Sequence, residues 1–193
     1  MANNKVVFGL TNVHYAVITE NADGAYTYGT PARLPGATEL KLEKKGDPND
    51  FYADNGVYYT ESSNLGYDGT LTIANITQAF RIDVLGETLD EIDKILTENA
   101  NAKIKKIALL FEFDGDVKAV RHVLYNVTVS RPGHSSSTKS DKTDPNTMEL
   151  SFVAAKHPIS GDVKKSTTGD TPANVYDAWY TKVYEKTETP KGA

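Results

Sequence analysis

Between Ile107 and Val129 the chain alternates apolar and polar residues, turns once and alternates back. Ile107, Leu109, Phe111 and Phe113 share one face of a strand, because successive strand side chains point to opposite sides. Asp114-Gly115 supplies turn chemistry. Ala119, Arg121, Val123, Tyr125, Val127 and Val129 then fall along one side of a returning strand. The pattern reads as a long central antiparallel hairpin, and whatever else folds must be built on that sheet.

Other segments repeat the signal. Leu40 and Leu42 alternate with Glu39, Lys41 and Glu43, a half-buried strand. Leu65, Tyr67, Leu71 and Ile73 share a face, with Gly69 in register as an expected kink or bulge. Met148, Leu150, Phe152 and Ala154 form another strand, and Val13, Tyr15 and Val17 an early one. About eight strands with turns between them predict a mainly β protein, an antiparallel sandwich, barrel or half-barrel flanked by short helices. Three short helices are expected. Thr77 caps a segment carrying Phe80 and Val84, which Gly86 ends at C′. Thr88 and Glu91 form a capping box ahead of Ile92 and Leu96. Thr171-Pro172 opens a last helix over about residues 172–184, with Val175, Trp179 and Val183 four apart. Leu96 to Ile104 fits either a helix end or a strand. The polar stretch at about 132–145 and the tail 185–193 read as flexible.

The 193 residues suit one domain, 1–193, long enough to bury a core without staples. Cysteine is absent, so thiol catalysis, disulfides and cysteine metal sites are excluded. The first residues carry no apolar run of a signal peptide, and no stretch reaches membrane-span length. Folding in a cytoplasm is therefore expected, with no membrane partner. Net charge is −5, with lysines and acids interleaved; a nucleic-acid reader carries a concentrated basic patch instead.

No catalytic constellation emerges. His14, His122, His134 and His157 are far apart and lack metal-ligand spacing. His14 and His122 sit in strands and suit packing, and His157 before Pro158 suits a turn. Ser135-Ser136-Ser137 beside His134 lies in a polar loop without an orienting group. Asp114-Gly115-Asp116 lacks the further acids of a calcium loop, because Val117, Lys118 and Ala119 follow. The glycines form no nucleotide cradle. The sequence therefore leads to the expectation of no catalytic residue, no metal and no cofactor.

Tyrosine is the unusual residue, eleven in all. In Phe51-Tyr52-Ala53-Asp54-Asn55-Gly56-Val57-Tyr58-Tyr59-Thr60, Asn55-Gly56 signals a two-residue type I′ turn. That register sets Tyr52 opposite Tyr59 on one face, and Phe51 with Tyr58 on the other. A hairpin at about 43–65 can lay only one face on its own domain, so the second is left for another copy of the chain. Phe51, Tyr52, Asp54, Val57, Tyr58 and Tyr59, with Tyr180 and Tyr184 near the C-terminus, are the candidate subunit interface.

Several blocks together resemble the major tail proteins of long-tailed, non-contractile phages of Gram-positive bacteria. They are Gly9-Leu10-Thr11-Asn12-Val13-His14-Tyr15-Ala16, Phe51 to Asn55, Phe80-Arg81-Ile82-Asp83-Val84-Leu85-Gly86, Ala108 to Asp116, Arg121-His122-Val123-Leu124-Tyr125-Asn126, Arg131-Pro132 and Trp179. The likeness runs from about Val6 to Tyr184; Asp93-Lys94-Ile95-Leu96 departs from it where a glycine-containing turn is expected. The resemblance implies a structural virion protein of the tail-tube fold, with a long hairpin and extended terminal arms. Six copies form a ring, and rings stack into the tube through which DNA passes without specific binding. It also implies a tape-measure protein, a tail terminator and baseplate or distal tail proteins as partners, and assembly in the host cytoplasm. The alternative is an immunoglobulin-like sandwich acting as a binding or adhesion module.

Overall fold

A computed structural model describes residues 4–21, 24–136, 138 and 145–186 of the chain. Strands β1 (Val7–Glu20), β2 (Tyr26–Tyr28), β3 (Ala32–Arg33) and β4 (Ala37–Lys45) open it. A projecting pair, β5 (Pro48–Ala53) and β6 (Gly56–Ser62), leads to β7 (Gly66–Ile73), helix α1 (Gln78–Asp83) and the two-residue strands β8 (Thr88–Leu89) and β9 (Leu96–Thr97). The central hairpin is β10 (Ile107–Gly115) and β11 (Val120–Val129); β12 (Met148–Ala155), β13 (Lys164–Ser166) and α2 (Ala173–Asp177) follow. Among the described residues nine strands form one antiparallel sheet in the order β2-β1-β10-β11-β12-β7-β4, with β13 added to β11 and β3 to β1. The protein is mainly β, as expected, and the sheet does not close into a barrel.

The sheet curves around α1. Val13 and Tyr15 of β1, Leu71 and Ile73 of β7, and Ile107, Leu109 and Phe111 of β10 share one buried cluster with Phe80, Val84 and Leu85. The Phe80 ring meets Tyr15 edge-on at 4.9 Å. Thr77 caps α1 as predicted, its hydroxyl accepting from the Phe80 amide at 3.3 Å. The helix ends at Val84, so Gly86 lies one position beyond C′, where its positive φ of 74° carries the chain away. A smaller cluster covers the other face: Ala16, Ala108, Leu110, Val123 and Tyr125 pack under Trp179 and Val183. With both faces covered, β10 is buried from Ile107 through Glu112.

Six expectations need correction. The central turn lies at residues 116–119, not at Asp114-Gly115, because those two pair with Phe8 and Val7 of β1. Asn4 holds the turn, its Oδ1 accepting from the amides of Val117 and Lys118. In β11 the register slips between the Ile107–Val127 and Leu109–Leu124 pairs, so one extra residue sits on β11. That bulge swaps faces. Val123 and Tyr125 meet Trp179, whereas Val127 and Val129 join Leu124 on the α1 side.

Gly69 is no bulge, since β7 pairs with β12 without interruption. A Cβ there would lie 2.3 Å from the Phe152 ring, so the glycine makes room for that ring. Leu65, expected on the core face, precedes β7 and is exposed. Thr88 and Glu91 do not start a helix. Thr88 pairs with Thr97 and Leu89 with Leu96, around a turn in which Asp90 Oδ1 accepts from the amides of Ile92 and Asp93. Finally, α2 spans only Ala173–Asp177 before one 3₁₀ turn at Ala178–Tyr180, although Trp179 and Val183 are buried as the fourfold spacing implied. The loop at 132–145 and the tail 185–193 fall largely outside the described residues.

Candidate assembly interface

The β5–β6 hairpin leaves the sheet between β4 and β7, whose last pair is Lys45 with Gly66. Its turn is made by Asp54 and Asn55, which carry positive φ of 51° and 61°, with Ala53 facing Gly56. The type I′ geometry is as expected, one residue earlier than the Asn55-Gly56 reading. Tyr52 therefore faces Val57. A register slip follows, and Phe51 then faces Tyr59, which leaves Tyr58 as the extra residue of a bulge. The predicted Tyr52–Tyr59 pair does not form.

The aromatics remain on both sides of the ribbon. Phe51, Tyr52, Val57, Tyr58 and Tyr59 are 61, 65, 54, 73 and 58% exposed. These exposed side chains lie on a two-stranded ribbon of which no residue is buried. Between Gly46 and Asn64 the charged residues are Asp47, Asp50, Asp54 and Glu61, with no cation. The Thr60 hydroxyl donates to Asp50 Oδ1 at 2.6 Å, an internal cross-strand tie.

Tyr180 and Tyr184 sit differently. Both are half-buried against their own subunit. The Tyr180 ring stacks on His14 at 4.5 Å and its hydroxyl donates to Glu112 Oε2 at 3.3 Å. Burial, then the Glu112 charge, pushes that phenol up. Tyr184 stacks on Trp179 at 5.6 Å, and its carbonyl accepts from the Tyr125 hydroxyl. The anchor beneath them was missed from the sequence. Arg121 Nε donates to the buried Glu112 at 2.7 Å, and its guanidinium lies 3.8 Å from the Tyr176 ring centre. Glu112 opposite Arg121 in an otherwise apolar hairpin was the available signal.

The histidines pack. His14 Nδ1 lies 2.8 Å from the Asn12 carbonyl, and burial pulls the ring's pKa down. His122 stacks on Phe111 at 5.0 Å and meets Ser166 Oγ at 2.7 Å, and burial lowers it to about 4. His157 Nδ1 accepts from the amides of Ile159 and Ser160, closing a turn. Among the described residues no group of three or more potential metal ligands comes together, and no helix is long and apolar enough to cross a membrane.

Among the described residues, strand borders stay open at both ends of the sheet. β4 ends the strand order, and Val7 to Thr11 of β1 have β10 as their only ladder partner among the described residues. Val6, Val7, Phe8 and Val117 are exposed around that second border. The described residues thus form an open antiparallel sheet with free strand borders and an exposed aromatic ribbon.

The chain belongs to the phage tail tube protein family, whose profile matches residues 1–189. It is a structural component of a phage tail and not an enzyme, which sets aside the adhesion-module alternative. No curated protein matches it in sequence. Among solved structures it is similar to a chain of the sheath–tube complex of the extracellular contractile injection system PVC in its extended state. That likeness has 12% identity, covers 85% of this chain and 93% of that chain, and has a TM-score of 0.49. It is also similar to a chain of the anti-feeding prophage tube-terminating cap, at 11% identity over 86% of this chain and 96% of that chain, with a TM-score of 0.46. The assignment rests on the family match.

Proposed function

We propose that the chain polymerises as stacked hexameric rings that form the tail tube of a long-tailed, non-contractile phage, the conduit for its genome. The observation that carries this reading is the β5–β6 ribbon, whose Phe51, Tyr52, Val57, Tyr58 and Tyr59 stay exposed among the described residues. Within a ring, the β4 border of one copy meets the β1 border of the next, a head-to-tail contact whose rotation closes. Along the axis the ribbon supplies the second contact, which does not close and so extends the tube. The net negative charge disfavours adhesion of DNA to the bore. A tape-measure protein, a tail terminator and distal tail proteins complete the assembly, which takes place in the host cytoplasm.

Tyr58→Ala with Tyr59→Ala tests the axial role. Negative-stain micrographs of concentrated wild type are expected to show tubes, and the double variant rings or dispersed subunits. Tubes at wild-type yield from the double variant would remove the ribbon from the axial contact.

A further inference from the structure

We propose that Asn55 is a self-modifying residue: its side chain closes onto the Gly56 amide, loses ammonia and leaves an aspartyl or isoaspartyl link at the tip of the β5–β6 ribbon. Asn55-Gly56 is the chain's one asparagine–glycine step. The Gly56 nitrogen, having given its proton to solvent base, attacks Asn55 Cγ. A new C–N bond closes a cyclic succinimide, and the side-chain nitrogen leaves as ammonia. Water then adds to either imide carbonyl and breaks that carbonyl's bond to nitrogen. Opening on one side gives aspartate. Opening on the other routes the main chain through the former side chain, as isoaspartate.

The surroundings favour this asparagine over the others. Glycine brings no Cβ to crowd the attacking nitrogen, and a Cβ built on Gly56 would meet nothing within 4 Å. Both residues are exposed, and the Asn55 side chain makes no hydrogen bond among the described residues. The folded turn holds Gly56 in its closing pair with Ala53. Yet no ribbon residue is buried, and the Thr60–Asp50 tie lies towards the base. The tip therefore opens at little cost, and the reaction passes through that opening. Asn12 shares the positive φ, at 51°, but donates to Glu112 and precedes the branched, buried Val13. Asn75 is exposed, but precedes the branched, buried Ile76.

The product changes the ribbon in charge and in shape. A further carboxylate joins Asp47, Asp50, Asp54 and Glu61 in a segment without a cation, which adds like-charge repulsion. Isoaspartate also lengthens the main chain by one carbon, at a turn where Asp54 and Asn55 both hold positive φ. Hairpin register follows from that turn, so the modified ribbon loses its tip pairing.

Peptide mapping of dilute protein held at mildly alkaline pH tests this. The peptide carrying Asn55 is expected to exchange its side-chain amide for a carboxyl and to accept methyl from an isoaspartyl methyltransferase. It should do so faster as pH rises, and ahead of the Asn12 and Asn75 peptides. Isoelectric focusing reads the same event as a band one charge more negative than the starting chain. Gly56→Ala fits the open position, which needs no positive φ. It should lower both signals to the level of the other asparagines and leave the unfolding midpoint unchanged. An intact Asn55 after incubation, or Gly56→Ala modified at the wild-type rate, overturns the proposal. Chymotrypsin reads the shape. Cleavage within the ribbon of the native protein should quicken in aged wild type and not in aged Gly56→Ala, and equal rates would refute the loss of register.

Discussion

The central and the projecting hairpins share a period and differ in everything that happens to it. In β10–β11 six consecutive residues, Ile107 to Glu112, are buried; in β5–β6 none is, and Ala53 alone is half-buried. Alternation therefore decides that a segment is a strand, and the covering elements decide what the strand is for. β10 has α1 over one face and Trp179 with Val183 over the other. The projecting ribbon has neither. Its residues match its lot: Ile, Leu and Phe line the central strand, whereas tyrosine and aspartate line the ribbon and tolerate water until a partner arrives.

Truncation should separate the two most sharply. Phe111→Ala removes a fully buried ring from the larger cluster, and a loss of about 3–5 kcal/mol in urea unfolding is expected. Tyr58→Ala with Tyr59→Ala, measured in dilute protein, should stay within about 0.5 kcal/mol of wild type. A loss above 1 kcal/mol from the tyrosine pair would mean that the ribbon packs on its own subunit, and the contrast would fail.

A weaker effect comes from pH, and again from the central hairpin. Burial against Phe111, and then the Lys164 charge, hold His122 at about 4, well below its ordinary 6.5. Between those values the unfolded chain binds a proton that the native ring refuses. The contribution of His122 is complete above about 6.5 and is lost as pH falls towards 4. His14, also lowered by burial, acts in the same direction. The unfolding midpoint should fall across that window, and His122→Gln should flatten part of the slope. An unchanged slope in the variant would place the pH dependence elsewhere.

How much was legible follows from how far apart the deciding residues lie. Strand positions came from neighbours two apart, so Leu150, Phe152 and Ala154 landed in the core as read. The face swap in β11 was hidden, because a bulge at Tyr125–Asn126 depends on pairing with Ala108 and leaves no mark on local alternation. The central turn was misplaced because its clamp is Asn4, more than a hundred residues away in sequence. At the candidate interface the ribbon's exposure could be read, since nothing distant acts on it. The engagement of Tyr180 could not, because His14, Glu112 and Arg121 reach it from three separate places.

The third hairpin, β8–β9, shows local preference losing to pairing, and it carries the smallest prediction. Its capping-box sequence favours a helix start, yet the turn requires Lys94 at a φ of 58°. That region costs a side chain with a Cβ about 1 kcal/mol, whereas glycine enters it freely. Lys94 returns little for the strain. Its ion pair with Glu91 at 3.2 Å is exposed on both sides and worth a few tenths of a kcal/mol at most. Lys94→Gly should therefore stabilise the protein by about 0.5 kcal/mol at most, after the greater freedom of glycine in the unfolded chain is set against the relief. For a domain of this size that corresponds to a rise in melting temperature of roughly 1–2 °C, readable by calorimetry. A lowered melting temperature would show that Lys94 holds the turn through a contact that outweighs its backbone strain. The glycine expected here from the tail-protein resemblance would then be no improvement on the lysine this chain uses.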